Sequence, residues 1–137
     1  MESDKIELAK RAVACRGWRW MPGMRARGCG DSGVVTNVWF DPDTHQTTDI
    51  YVSYDEECGS CQHAAPDYDQ CLPDLTDPAT LGCLLALVRE AWGQDDMGAS
   101  RYRERWCVEF TPQEGQHYAF YGSSEAEALV YALEAAP

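Results

Sequence analysis

Asp77-Pro78-Ala79-Thr80-Leu81-Gly82-Cys83-Leu84-Leu85-Ala86-Leu87-Val88-Arg89-Glu90-Ala91-Trp92-Gly93 is the stretch on which the reading of the fold turns. Asp77 is a good N-cap, because its carboxylate can accept from the first free amides of a helix. Pro78 suits the first helical position, where its missing N–H costs nothing, and Gly93 suits the left-handed residue that ends a helix. Between them Leu81, Leu84, Leu85, Val88 and Trp92 form one apolar stripe, which Cys83, Leu87 and Ala91 widen around the helix. The pattern predicts a well-buried central helix.

Downstream, a polar loop is expected first. Tyr102, Glu104, Trp106, Val108 and Phe110 then alternate with Arg103, Arg105, Cys107 and Glu109, the period of a strand. Residues 111–116 have turn chemistry and lead into a second strand over His117–Tyr121. Ser124 with Glu127 three positions on predicts a capping box opening a last helix, whose stripe is Ala126, Leu129, Val130 and Leu133.

Upstream, residues 55–76 carry three Cys, two Pro and many acids without periodicity, and read as a long loop. Residues 34–40 are β-branched and aromatic, and with 47–54 they predict a hairpin whose turn is Asp41-Pro42-Asp43-Thr44. Residues 25–33, with three Gly, read as a loop. Pro22-Gly23 suits the centre of a type II turn. Ile6, Ala9 and Val13 predict a short first helix, with Asp4 and Glu7 as its capping pair and Gly17 as its stop. The expected architecture is one α+β domain over 1–137: three helices packed on antiparallel hairpins in a layered sandwich, with a Cys-rich acidic loop at about 55–76.

The chain has 137 residues, 11 Lys+Arg and 23 Asp+Glu, for a formal charge of −12. That balance disfavours proteins that grip nucleic acid or anionic membranes through surplus cations. The longest apolar run, near 81–88, is too short to span a bilayer. Met1-Glu2-Ser3-Asp4 is acidic and polar rather than basic and then apolar, so no secretory leader is expected and the reading is cytoplasmic. The charge is also segregated. Residues 1–30 carry seven Lys/Arg against three acids, whereas residues 31–88 hold eleven acids and not one Lys or Arg.

Candidate sites follow from this distribution. Asp55, Glu56, Glu57, Asp67 and Asp69 are the expected acidic binding surface. Cys58-Gly59-Ser60-Cys61 has the spacing of a zinc half-site, which His63 and Cys71 could complete as a tetrahedron. A second pair of the same spacing is missing, which favours plain reduced thiols in a loop. Redox catalysis at this pair is disfavoured, because Pro66 interrupts any following helix and three acids precede Cys58. Trp18, Arg19, Arg25 and Arg27 are of the types that anchor interfaces or meet a nucleotide's phosphates. Their alternation favours a plainer reading, with Trp18 and Trp20 inward and Arg19 outward. His45, His63 and His117 lie in no catalytic context, and no nucleophile elbow, phosphate loop or His-Glu-x-x-His motif occurs, so no catalytic residue is assigned.

Three passages resemble small bacteriophage and prophage proteins of the phage ABA-sandwich domain family. They are Ile6-Glu7-Leu8-Ala9-Lys10-Arg11 through Gly17-Trp18-Arg19-Trp20, Leu72-Pro73-Asp74-Leu75-Thr76-Asp77-Pro78, and Gly122-Ser123-Ser124-Glu125-Ala126-Glu127-Ala128-Leu129. The likeness covers roughly 4–22 and 72–136, and the segment 41–71 has no counterpart in the pattern. The resemblance implies a phage origin and a three-layer α/β arrangement, and it implies no activity.

The functional expectation is a non-enzymatic phage accessory protein that acts by binding in the host cytoplasm, through its acidic surface, to a basic host or defence protein. One alternative is an oligomer that sequesters a small nucleotide. The other is a metal-dependent enzyme built on the Cys/His loop, with zinc as the cofactor.

Overall fold

The computed structural model describes residues 2–28, 31–44, 47–54, 60–64 and 71–137. Its elements run α1 (Glu2–Ala14), β1 (Arg25–Gly28), β2 (Asp31–Phe40), β3 (Thr47–Tyr54), β4 (Ser60–Ala64), β5 (Cys71–Pro73), α2 (Pro78–Trp92), β6 (Gly98–Tyr102), β7 (Arg105–Phe110), β8 (Tyr118–Gly122) and α3 (Glu125–Ala135). The expected α+β class and the three helices are present. The strands form two antiparallel sheets, one ordered β4-β3-β2-β1-β5 and the other β6-β7-β8.

α2 is built as its sequence dictates. The Asp77 carboxylate accepts from the Thr80 amide at 2.9 Å. At the other end Gly93 adopts φ 65, with Gly93 N–H donating to the Glu90 carbonyl and Gln94 N–H to that of Arg89. This paired arrangement satisfies carbonyls that the helix end would otherwise leave free. In α3 the Ser124 hydroxyl accepts from the Glu127 amide at 3.1 Å. The return contact differs from an ordinary capping box: the Glu127 carboxylate reaches the amide and hydroxyl of Ser123. Residues Met21–Met24 make the predicted turn, with Gly23 at φ 96 and the Met24 amide donating to the Met21 carbonyl.

α3 packs between the three-stranded sheet and the other two helices, and α1 also lies against β5. Leu84, Leu87, Val88, Met97, Val108, Leu129, Val130 and Leu133 fill the centre of one continuous core, to which Met24, Val35 and Val52 extend it from the larger sheet.

Several boundaries differ from the sequence reading, and the single strand expected over 102–110 is broken by a turn at Arg103–Glu104. α1 begins at Glu2, so Asp4 sits inside its first turn, where a carboxylate favours the helix dipole, rather than at the cap. Residues 25–33 contain β1 and the start of β2 instead of a loop. The expected 55–76 loop contains β4 and β5, and the polar stretch before Tyr102 contains β6. These are short strands of three to five residues that no alternation marks. Each exists because a longer neighbour pairs with it.

Thr80 joins β1 to the start of α2. It is completely buried, and its hydroxyl donates to the Asp77 carboxylate at 3.0 Å while accepting the Arg25 amide at 2.7 Å. Asp77→Ala therefore removes the cap and leaves the buried Thr80 hydroxyl without its acceptor. We expect a loss of about 1–2 kcal/mol in urea unfolding. Asp77→Asn, which keeps the acceptor, should recover most of it.

Candidate functional site

The basic N-terminal segment is held in place by carboxylates from α2 and its approach. Arg19 Nη1 pairs with Glu90, Arg25 Nε lies 3.9 Å from Asp77 Oδ1, and Arg27 Nε lies 3.9 Å from Asp74 Oδ2. Arg25 Nη1 also donates to Ser32 Oγ at 3.0 Å. Two positions apart on β1, Arg25 and Arg27 share one side of the strand, and the pairing of β1 with β5 delivers Asp74 and Asp77 to that side. A hydrogen bond from the Asp74 amide to the Arg25 carbonyl at 2.8 Å fixes the approach. A phosphate bound here would have to displace these carboxylates. The fourth member of the group, Trp18, is half-buried and meets Trp20 edge-on at 5.5 Å, and Trp20 is buried in the core. Trp20 thus points inward as the alternation expects, while Trp18 and Arg19 are both half-buried.

Strand order separates the described members of the metal set. Cys61 pairs with Val52 and His63 with Ile50, which places both on β4. Cys71 pairs with Gly28 on β5, and β4 and β5 are the two opposite edges of the five-stranded sheet. Cys58 lies outside the described residues. Among the described residues no group of three or more His, Cys, Asp or Glu is placed to hold a metal ion. Burial pushes the Cys15 thiol up to about 11 and raises those of Cys83 and Cys107. These three thiols are protonated at neutral pH and are poor nucleophiles.

Asp55, Glu56, Glu57, Asp67 and Asp69 also lie outside the described residues. The strands flanking them are informative nonetheless. The Lys/Arg-free stretch forms β2, β3 and β4, three neighbouring strands at one side of the sheet, and also β5 at the opposite edge, while Arg25 and Arg27 stand on β1 between β2 and β5. Asp41 and Asp43 sit at the β2–β3 turn, where the Asp41 carboxylate accepts the Asp43 amide at 2.8 Å, and Asp49 follows on β3.

Sequence reasoning missed a cleft of about 450 Å³ between α1, the approach to α2 and the start of α3. Ile6, Leu72, Leu81 and Trp106 supply apolar walls, with Lys5 and Glu125 at its margin. Its size is that of a small-molecule site. Its lining comes from α1, β1, β5, α2, β7 and α3, so no local pattern could have revealed it.

Comparison of the chain with family models, with curated proteins and with solved structures returns no match. Among the described residues no helix is long and apolar enough to cross a membrane.

Proposed function

We propose that this chain is a non-catalytic binding protein, an accessory protein of the kind bacteriophages carry, which acts in the host cytoplasm on a basic protein partner. The observation that supports this reading is the segregation of charge across the larger sheet. Residues 31–64 contain no Lys or Arg, and the strands they supply, β2, β3 and β4, are neighbours at one side of the larger sheet. Meanwhile Arg19, Arg25 and Arg27 are tied to Glu90, Asp77 and Asp74 around α2. A face of carboxylates without interspersed cations steers a basic surface toward itself and repels acidic competitors. The same ion pairs weigh against the nucleotide alternative, because they occupy the cations it requires.

The test is affinity capture from bacterial lysate at two salt concentrations, with the triple variant Asp41→Lys, Asp43→Lys, Asp49→Lys in parallel. A basic protein should be retained at low salt and released at about 1 M salt, where the screening length falls to roughly 3 Å. The triple variant should not retain it. Capture that ignores both salt and the charge reversal overturns the reading.

A further inference from the structure

β6 is an edge strand whose outer side pairs with nothing among the described residues. It joins β7 through the two-residue loop Arg103–Glu104, with Tyr102 opposite Arg105. In such a hairpin the residues flanking the loop exchange both backbone hydrogen bonds, and bonded and non-bonded pairs then alternate along the ladder. Tyr102, Ser100 and Gly98 are thereby bonded inward, and the amides and carbonyls of Ala99 and Arg101 point outward. Ser100, Arg101 and Tyr102 are exposed, and Tyr102 is 55% exposed despite its size. The strand contains no proline and no bulge, so its outward amides and carbonyls are open to pairing, with Arg101 the one charge on it.

The geometry points to a second copy of this chain as the occupant of that edge, in a two-fold dimer whose axis passes beside Ser100. Antiparallel pairing about that axis sets Ala99 against the partner's Arg101, so the two outward-pointing residues of each strand bond to those of the other. It also sets Tyr102 against the partner's Gly98. A Cβ at Gly98 would meet no atom within 4 Å, so the space beside this glycine is open for an aromatic ring. Past the paired residues the chain directions bring Arg103, at the hairpin tip, to the partner's Asp96 and Asp95. Both aspartates are exposed, and the Met97 carbonyl that follows them is held by Arg89 Nε at 2.6 Å. Arg103 and the aspartates meet twice, once on each side of the axis.

Charge pairing supports a second copy at this edge, because each Arg103 reaches the partner's Asp95 and the partner's Asp96, which offsets the approach of the two Arg101 side chains. Two chains of −12 repel one another over most of their surfaces. Residues 98–106, however, carry Arg101, Arg103 and Arg105 against Glu104 alone, the most cationic stretch outside the ion-paired N-terminal segment. Association through β6 keeps the Lys/Arg-free strands away from the contact. The product is a continuous six-stranded sheet with α3 and its copy on one face.

Sedimentation velocity on the full chain tests this. The wild type should sediment at twice 15.3 kDa. Arg101→Pro deletes an outward amide that the β6–β7 ladder does not use, and should yield a monomer with unchanged far-UV circular dichroism. Arg103→Asp and Asp96→Arg should each weaken the dimer by about tenfold or more, and the double variant should restore it. A wild type that stays monomeric at the highest concentration reached overturns the proposal. So does a dimer that tolerates Arg101→Pro, or single charge reversals that the double variant fails to rescue. None of these variants touches the β2–β3 carboxylates, so this result and the partner-capture result stand or fall separately.

Discussion

Gly122→Ala should be a severely damaging single-methyl change. A Cβ on Gly122 would lie 2.6 Å from the Ala128 amide nitrogen, 2.9 Å from Glu127 Cβ and 3.0 Å from the Glu127 carbonyl carbon. Two of these atoms are helix backbone, so no flexible side chain can yield. Either the first turn of α3 lifts from β8 or the strand bends away. α3 carries Ala126, Ala128, Leu129, Val130, Ala132 and Leu133, all buried, so a shift at its start is transmitted through the centre of the core. Overpacking of this sort costs about 1–3 kcal/mol where side chains adjust, and a backbone clash belongs at the upper end or beyond. Urea unfolding followed by tryptophan fluorescence should show a lower midpoint. For a chain of this length we expect a fall in Tm of roughly 10 °C. A Tm within a degree of wild type would mean that α3 and β8 do not approach as closely as described.

Trp92→Ala should cost about as much, through the opposite fault. The Trp92 ring lies 4.9 Å from Phe110, 5.3 Å from Tyr118 and 5.9 Å from Phe120, while its Nε1 donates to the Ala132 carbonyl at 2.8 Å. One side chain thus ties the end of α2 to β7, β8 and α3. Removing it opens a void among three aromatic rings and leaves the Ala132 carbonyl without this donor. Large aromatic truncations of this kind cost about 3–5 kcal/mol. Trp92→Phe keeps most of the ring contacts and loses the hydrogen bond, so its cost should be nearer 1 kcal/mol. Equal losses in the two variants would place the energy in the hydrogen bond rather than in packing.

The fold was most legible where one segment contains both its pattern and its punctuation. α2 has its cap, its stripe and its terminal glycine within residues 77–93, and α3 has Ser124 and Glu127 ahead of its stripe. The β2–β3 hairpin shows the same property, with β-branched and aromatic strands around an Asp-Pro-Asp turn. The β6–β7 hairpin was illegible for a definite reason. Its turn is Arg103–Glu104, with Arg103 at φ 58, and no Gly, Asn or Pro marks it. The alternation of Tyr102, Glu104 and Trp106 runs through the bend and reads as one strand. β4 and β5 are hidden in the acidic segment because their backbone bonds, not their side-chain pattern, define them.

The candidate sites divide along the same line. Cys58-Gly59-Ser60-Cys61 is a local pattern, but whether Cys71 could join it depends on strand order, which puts β5 at the far edge from β4. Arg25 and Arg27 are conspicuous in the sequence as cations. That Asp77 and Asp74 meet them follows from the pairing of β1 with β5.

By itself the sequence determined the helices, the central hairpin, the α+β class and the segregation of charge into a basic start and a long cation-free block, because caps, periodicity and ionisable groups are properties of neighbouring residues. Tertiary structure alone decided which carboxylates the N-terminal arginines meet, that Cys61 and Cys71 stand on opposite sheet edges, and that β6 is left with an open side among the described residues. Those outcomes depend on which strands pair, and strand pairing is settled by contacts between residues far apart in the chain.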